Sequence, residues 1–324
     1  MTRTAFAYTC PGCGEPAAYA HACPRPLRNH TPEASRIRGG LGRKNGDRTV
    51  TEYSGIVPVL DEAEYHAHPA LSSTQARQLL KSPAHYRYAL SHPQAPKSAF
   101  DLGSAVHAKV LGVGAQIAVI PAEVLATNGA VSTTAAKEFI AQARAGGLIP
   151  VKADVAAEVD EMSEAVLAHP NARLLFEQDG QAEASVFATD PETGVELRAR
   201  FDFLAPVCVD LKTTGKEASK DGFSKSVASF GYDVQRSHYL DTLELITGER
   251  RRMLFVVVES TAPYLVGVYE LDRDFSDMGD VKAKAAREKL AACTRADTWP
   301  GYPTEIGLVI PPMYAVYDFQ DNYS

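Results

Sequence analysis

No run of eighteen or more apolar residues occurs in the 324-residue chain, which excludes a membrane-spanning helix. Cysteine is scarce: five residues, with Cys10, Cys13 and Cys23 crowded together and Cys208 and Cys293 standing alone. The opening residues, MTRTAFAYTCPGCGEP, lack the apolar core of a signal peptide. Without an export signal, an odd cysteine count does not make a disulfide framework. The expectation is a soluble cytoplasmic protein with no membrane contact. Positive charge is not in excess either. The formal net charge is −7, which by itself does not mark a nucleic-acid binder. Its distribution is uneven, because residues 1–50 hold eight Lys/Arg against three acids, leaving 25 against 37 in the remainder. A basic arm on an acidic body can contact phosphates or can be a solvated leader, and both readings stay open. Internal repeats are also lacking.

What is present is enough apolar residue, 45%, to build one large packed domain with a small appendage. Residues 1–24 are the appendage. In CPGCGEPAAYAHAC, Cys10, Cys13, His21 and Cys23 offer four ligands in close sequence, resembling a zinc knuckle. Pro11-Gly12 allows the tight turn that brings two thiolates to one ion, and His30 is an alternative to His21. Residues 25–57 are basic, Gly-rich and without periodicity, which reads as a linker. Residues 58–324 form the main domain.

Its pattern begins with helices. Ser72 or Ser73 caps one whose apolar face includes Ala76, Leu79 and Leu80, and Pro83 ends or interrupts it. SAFDLGSAVHAKVLGVG, STTAAKEFIAQARAGG and KADVAAEVDEMSEAVLAHP read as three more. From Gln181 the period becomes two. DPETG is a hairpin turn. On the strand after it Val195, Leu197, Ala199, Phe201 and Phe203 are expected on one face, with Glu196, Arg198, Arg200 and Asp202 on the other. A further strand puts Val207, Val209 and Leu211 on one side, with Cys208, Asp210 and Lys212 on the other. Two helices, two strands and a long helix follow, so the fold class expected is α/β or α+β.

Two aspartates and a lysine on one sheet face have a plain explanation, a salt-bridged surface. They also have a chemical one. A hard divalent cation takes oxygen ligands, here Asp202, Asp210 and the backbone carbonyl of Leu211. Such a cation acidifies water and offsets phosphate charge. Lys212 points the same way as Asp210 and can orient water or offset charge in the transition state.

Four motifs stand in order: GSAVH (Gly103–His107), RFDFL around Asp202, DLKTT around Asp210 and Lys212, and QRSHY (Gln235–Tyr239). On these residues the chain resembles the PD-(D/E)xK nuclease superfamily, in its RecB-like branch and of the RecE type. The resemblance covers about residues 60 to 324. It implies a restriction-endonuclease-like mixed sheet flanked by helices. It also implies a metal-dependent exonuclease acting on double-stranded DNA ends, 5′ to 3′, in phage-type recombination or single-strand annealing. Magnesium or manganese would be held by His107, Asp202, Asp210 and Leu211, with imidazole better suited to manganese. Gln235 and Tyr239, four apart on one helix face, would contact DNA or the catalytic groups. Glu183 matches an acidic position that binds a second metal or positions water. A phage or prophage origin, an annealing-protein partner and a homo-oligomer are implied likewise. The alternatives are a structure-specific or CRISPR-adaptation-type endonuclease on the same site, and a non-catalytic DNA-binding protein.

Overall fold

The computed structural model describes residues 51–92 and 98–323, together with two short antiparallel pairs, β1 (Tyr8–Thr9) with β2 (Pro16–Ala17) and β3 (Lys44–Asn45) with β4 (Arg48–Thr49). Cys10, Cys13, His21 and Cys23, and with them the expected zinc element, lie outside the described residues. Met1–Gly39 and Gly40–Ser324 form separate compact units.

In the second unit the chain runs β5 (Gly55–Val57), α1 (Glu62–Ala67), α2 (Ser73–Lys81), α3 (Pro83–Ser91), α4 (Ser98–Leu111), β6 (Ile117–Val119), α5 (Thr134–Ala145), β7 (Ile149–Val151), α6 (Ala153–Ala168) and α7 (Pro170–Phe176). It continues β8 (Gln181–Thr189), β9 (Glu196–Leu204), β10 (Val207–Thr214), α8 (Lys220–Phe230), α9 (Tyr232–Thr247), β11 (Arg252–Glu259), β12 (Val266–Glu270), α10 (Arg273–Ala296) and α11 (Met313–Tyr323). Local chemistry sets the joints. Ser72 and Gln75 form a reciprocal capping box that starts α2. Pro83 then sits in the first turn of α3, where its missing N–H costs nothing, so it ends one helix and opens the next. Gly231, with φ +67°, closes α8 and turns directly into α9.

Six strands form one mixed sheet in the order β12-β11-β10-β9-β8-β5. All neighbours are antiparallel except β10 and β11, which run parallel with Val207 opposite Arg252. A parallel pair needs a long crossover, and α8 with α9 supplies it. Helices cover both faces. Cys208, Met253, Phe255 and Val257 pack with Phe223 and Val227 of α8 and Leu240 and Leu243 of α9. Val209, Leu211, Val256 and Val258 pack with Ala105 and Val106 of α4, Val159, Met162 and Val166 of α6, and Ala172 of α7. Burial on both sides explains why β11 reads as an unbroken apolar run, MLFVVV. No helix among the described residues is long and apolar enough to cross a membrane.

The strand alternation expected from the sequence fails at one place. Ala199 and Phe201 of β9 pack on the α8/α9 side, but Phe203 packs on the α4/α6 side. A regular strand would keep Phe201 and Phe203 together. Their partners in β8 change sides in step, Ala184 opposite Phe201 and Ala182 opposite Phe203. Between them Glu183 has φ +53°, a left-handed conformation that a glutamate rarely adopts. The break therefore falls at the Glu183–Asp202 level.

His238 of α9 is fully buried and bonds the Arg198 carbonyl at 3.0 Å. Burial pulls its pKa down to about 4, from 6.5. The folded value lies below the unfolded one, so stability is full above pH 6.5 and is lost as pH falls towards 4. The loss amounts to about 3 kcal/mol. His238→Gln should flatten the dependence of Tm on pH across that window relative to the unsubstituted protein. An identical slope in both would rule this out.

Candidate metal centre and active site

β9 and β10 pair only at Val209 opposite Phe203. Beyond that point the ladder opens, and the polar residues singled out from the sequence collect in the gap. Asp202 does not stand on a common face with Asp210. Its Oδ2 accepts the Leu211 backbone N–H at 2.7 Å, across the gap where a ladder bond would otherwise lie. The N–H and C=O of one strand residue point to the same neighbour. The Leu211 carbonyl is thus directed into this gap as well.

The α4 helix brings His107 from one helix layer. Gly103, one turn earlier, makes the approach possible, since a Cβ there would stand 3.1 Å from the Thr213 hydroxyl on β10. His107 Nδ1 lies 3.5 Å from Asp202 Oδ2. One ligand atom each from His107, Glu183 and Asp202 fall within 4.8 Å of one another. The break in alternation and the unusual φ of Glu183 are what turn these two carboxylates towards the imidazole. Strain of this kind persists where the surroundings fix it, and it concentrates at functional sites.

From the opposite layer α9 brings Gln235. Its amide donates to Asp210 Oδ1 at 2.6 Å, both residues being buried. The other carboxylate oxygen of Asp210 is ion-paired with the Lys212 ammonium at 2.5 Å. Lys212 also lies 4.8 Å over the ring of Tyr232. Asp210 is thus held by Lys212 and Gln235, next to the His107 cluster rather than inside it. Tyr239 packs against Phe201, with ring centroids 5.1 Å apart, and burial pushes its phenol well above the usual value.

The electrostatics are those of a carboxylate group short of positive charge. Burial, and then the charge of Asp202, raise Glu183 to about 7, with Arg200 opposing. Burial raises Asp210 also, Lys212 pulling it down and Asp202 pushing it up. For Lys212 burial acts to lower the pKa, but Asp210 and Asp202 outweigh it and the ammonium is held charged. An imidazole nitrogen and two crowded carboxylates whose ligand atoms converge fit a divalent cation that takes N and O ligands.

The two arginines beside Asp202 in sequence do different work. Arg198 is buried and binds the Tyr65 carbonyl. Arg200 bonds Ser185 Oγ at 3.0 Å and the Leu60 carbonyl at 2.5 Å, and lies 3.9 Å from Glu183. Neither is free to hold phosphate as its main partner. Cys208, on the strand of Asp210, is fully buried, and burial raises its thiol to about 11, so it is an inert filler. Tyr232 was not anticipated as part of the site. Its position three residues before Gln235, on the same helix face, is the signal that places it there.

A family model described as a PDDEXK-like domain of unknown function (DUF3799) matches residues 72–310. No curated protein matches the chain. Among solved structures, a candidate exonuclease from Eubacterium rectale aligns with 13% identity and a TM-score of 0.49, covering 76% of this chain and 96% of the other. LHK-Exo in complex with dAMP aligns with 14% identity and a TM-score of 0.20, covering 61% and 96%. Both TM-scores fall below 0.5, so the family match and the geometry above carry the assignment.

Proposed function

This chain belongs to the DUF3799 family of PDDEXK-like domains, and from that premise we propose that it is a metal-dependent deoxyribonuclease acting at the ends of linear double-stranded DNA. The observation that carries the reading is the convergence of His107, Glu183 and Asp202 beside the Asp210–Lys212 ion pair. His107, Asp202 and Glu183 would hold magnesium or manganese, with Asp210 and the Leu211 carbonyl beside them to complete the set. A divalent cation there supplies acidified water and charge screening for the phosphate. The protein's own groups do the rest. Leu211 N–H fixes Asp202, Gln235 fixes Asp210, and the Lys212 ammonium, kept charged, offsets negative charge as the phosphodiester is attacked.

The finer reading is RecE-type. It includes 5′ to 3′ resection in phage- or prophage-encoded recombination inside a bacterial host cell, an annealing-protein partner and a homo-oligomer. The motif order GSAVH, RFDFL, DLKTT and QRSHY supports it. The same reading assigns residues 58–324 to the nuclease and residues 1–24 to a zinc-binding accessory joined by a basic linker. Metal analysis of the whole protein should then find about one zinc per chain, absent after Cys10→Ser and Cys13→Ser.

In magnesium the protein should release nucleotides from an end-labelled linear duplex and leave a closed circle intact. Equal attack on the circle would replace the exonuclease with an endonuclease on the same site. Cleavage of neither, under magnesium or manganese, would leave a DNA-binding protein.

A further inference from the structure

Phe230 closes α8 and is 48% exposed, and the Lys216 ammonium lies over its ring, 5.5 Å from the centroid. The position is fixed rather than loose. The Phe230 carbonyl accepts the Arg77 guanidinium, and a Cβ on the following Gly231 would stand 2.8 Å from the Arg77 side chain. The ring also lies 5.7 Å from Tyr232, whose own face carries Lys212 at 4.8 Å. Two short steps therefore join an exposed aromatic face to the ion pair with Asp210.

Resting on the nuclease reading above, we propose that Phe230, flanked by Lys216, is a stacking platform for an unpaired nucleobase next to the phosphodiester being cut. Every base has a π face that stacks on an aromatic ring, and the phosphate beside it meets a lysine. A base inside a duplex already stacks on its neighbours and cannot lie on a ring projecting from a helix end. The platform therefore selects the nucleotide that is unstacked, at a frayed or single-stranded end. Two acidic residues belong to the same segment. Asp221 is in the first turn of α8, at the far end from Phe230, and Glu217 is engaged by the Ser219 hydroxyl.

The test measures binding, with calcium in place of magnesium, of a short labelled duplex carrying either blunt ends or a few unpaired nucleotides. Phe230→Ala should weaken binding of the frayed duplex about tenfold, as loss of one base–aromatic stack does. Binding of the blunt duplex should change far less. Phe230→Trp should bind the frayed duplex at least as tightly as the unsubstituted protein. Equal binding by Phe230→Ala, or an equal loss in Phe230→Trp, overturns the platform. Cleavage of the same duplexes in magnesium separates the two readings. Cleavage without dependence on Phe230 overturns the platform alone. Neither cleavage nor binding by the unsubstituted protein overturns the nuclease reading and the platform with it.

Discussion

Lys212→Ala should lower the rate of phosphodiester cleavage about a thousandfold or more, as the loss of a preorganised charge at a reacting centre does. The ammonium touches Asp210 and the face of Tyr232, and Asp210 and Asp202 hold it in its charged form. Its removal also leaves a buried carboxylate without its cation, a change that costs about 3–5 kcal/mol in folded proteins. A loss of activity in Lys212→Ala alone is therefore ambiguous. Asp210→Asn is the complementary variant: asparagine can still accept the Gln235 amide, but its own amide NH2 then faces the Lys212 ammonium, so in both variants the fold is followed alongside the rate. Cleavage should fall in Asp210→Asn as steeply, while circular dichroism and DNA binding stay close to those of the unsubstituted protein. Near-normal rates in both variants would remove these residues from the site.

Gly279→Ala should lower Tm by about 6 °C. At this point α10 crosses α9, and an added Cβ would stand 2.4 Å from the Asp233 carbonyl oxygen, 2.6 Å from Ser237 Oγ and 2.8 Å from the Asp233 carbonyl carbon. Two of these atoms are backbone, so no side-chain rotation relieves the overlap and the helices must move apart. Overpacking of this kind costs about 1–3 kcal/mol, and about 2–4 °C of Tm follows each kcal/mol in a domain of roughly 150–250 residues. The displaced helix is the one that carries Gln235, so cleavage should weaken as well, by less than in Asp210→Asn. A Tm within about 2 °C of the unsubstituted protein would show that the crossing is not tight.

The parts of this site that could be read from the sequence are those set by local periodicity. Asp210 and Lys212 occupy alternate positions of one strand, and Gln235 and Tyr239 one helix face, so spacing alone predicted their grouping. Ser72 and Pro83 likewise mark where helices stop and start, whereas the role of Gly231 emerges only in the structure. Other features depend on contacts distant in sequence. Nothing near Glu183 announces a left-handed residue, since neither glycine nor asparagine stands there, and so the change of side between Phe201 and Phe203 went unforeseen. Because of that change, Asp202 meets His107 and the Leu211 N–H in an opened ladder instead of sharing a plain face with Asp210. The parallel pairing of β10 with β11 joins strands separated by two whole helices, and the three-residue β5 is too short to register as a pattern. Tyr232 is not legible as a site residue because an aromatic at helical spacing reads as core, and only its contact with Lys212 shows otherwise.

The measurement that bears most directly on the central claim is the rate of linear-duplex hydrolysis by EDTA-stripped protein as magnesium or manganese is titrated back. A site built from His107, Glu183, Asp202 and Asp210 predicts no hydrolysis without the cation, saturable recovery as it is added, and failure of recovery in Asp202→Asn. Hydrolysis undiminished in EDTA would contradict the account.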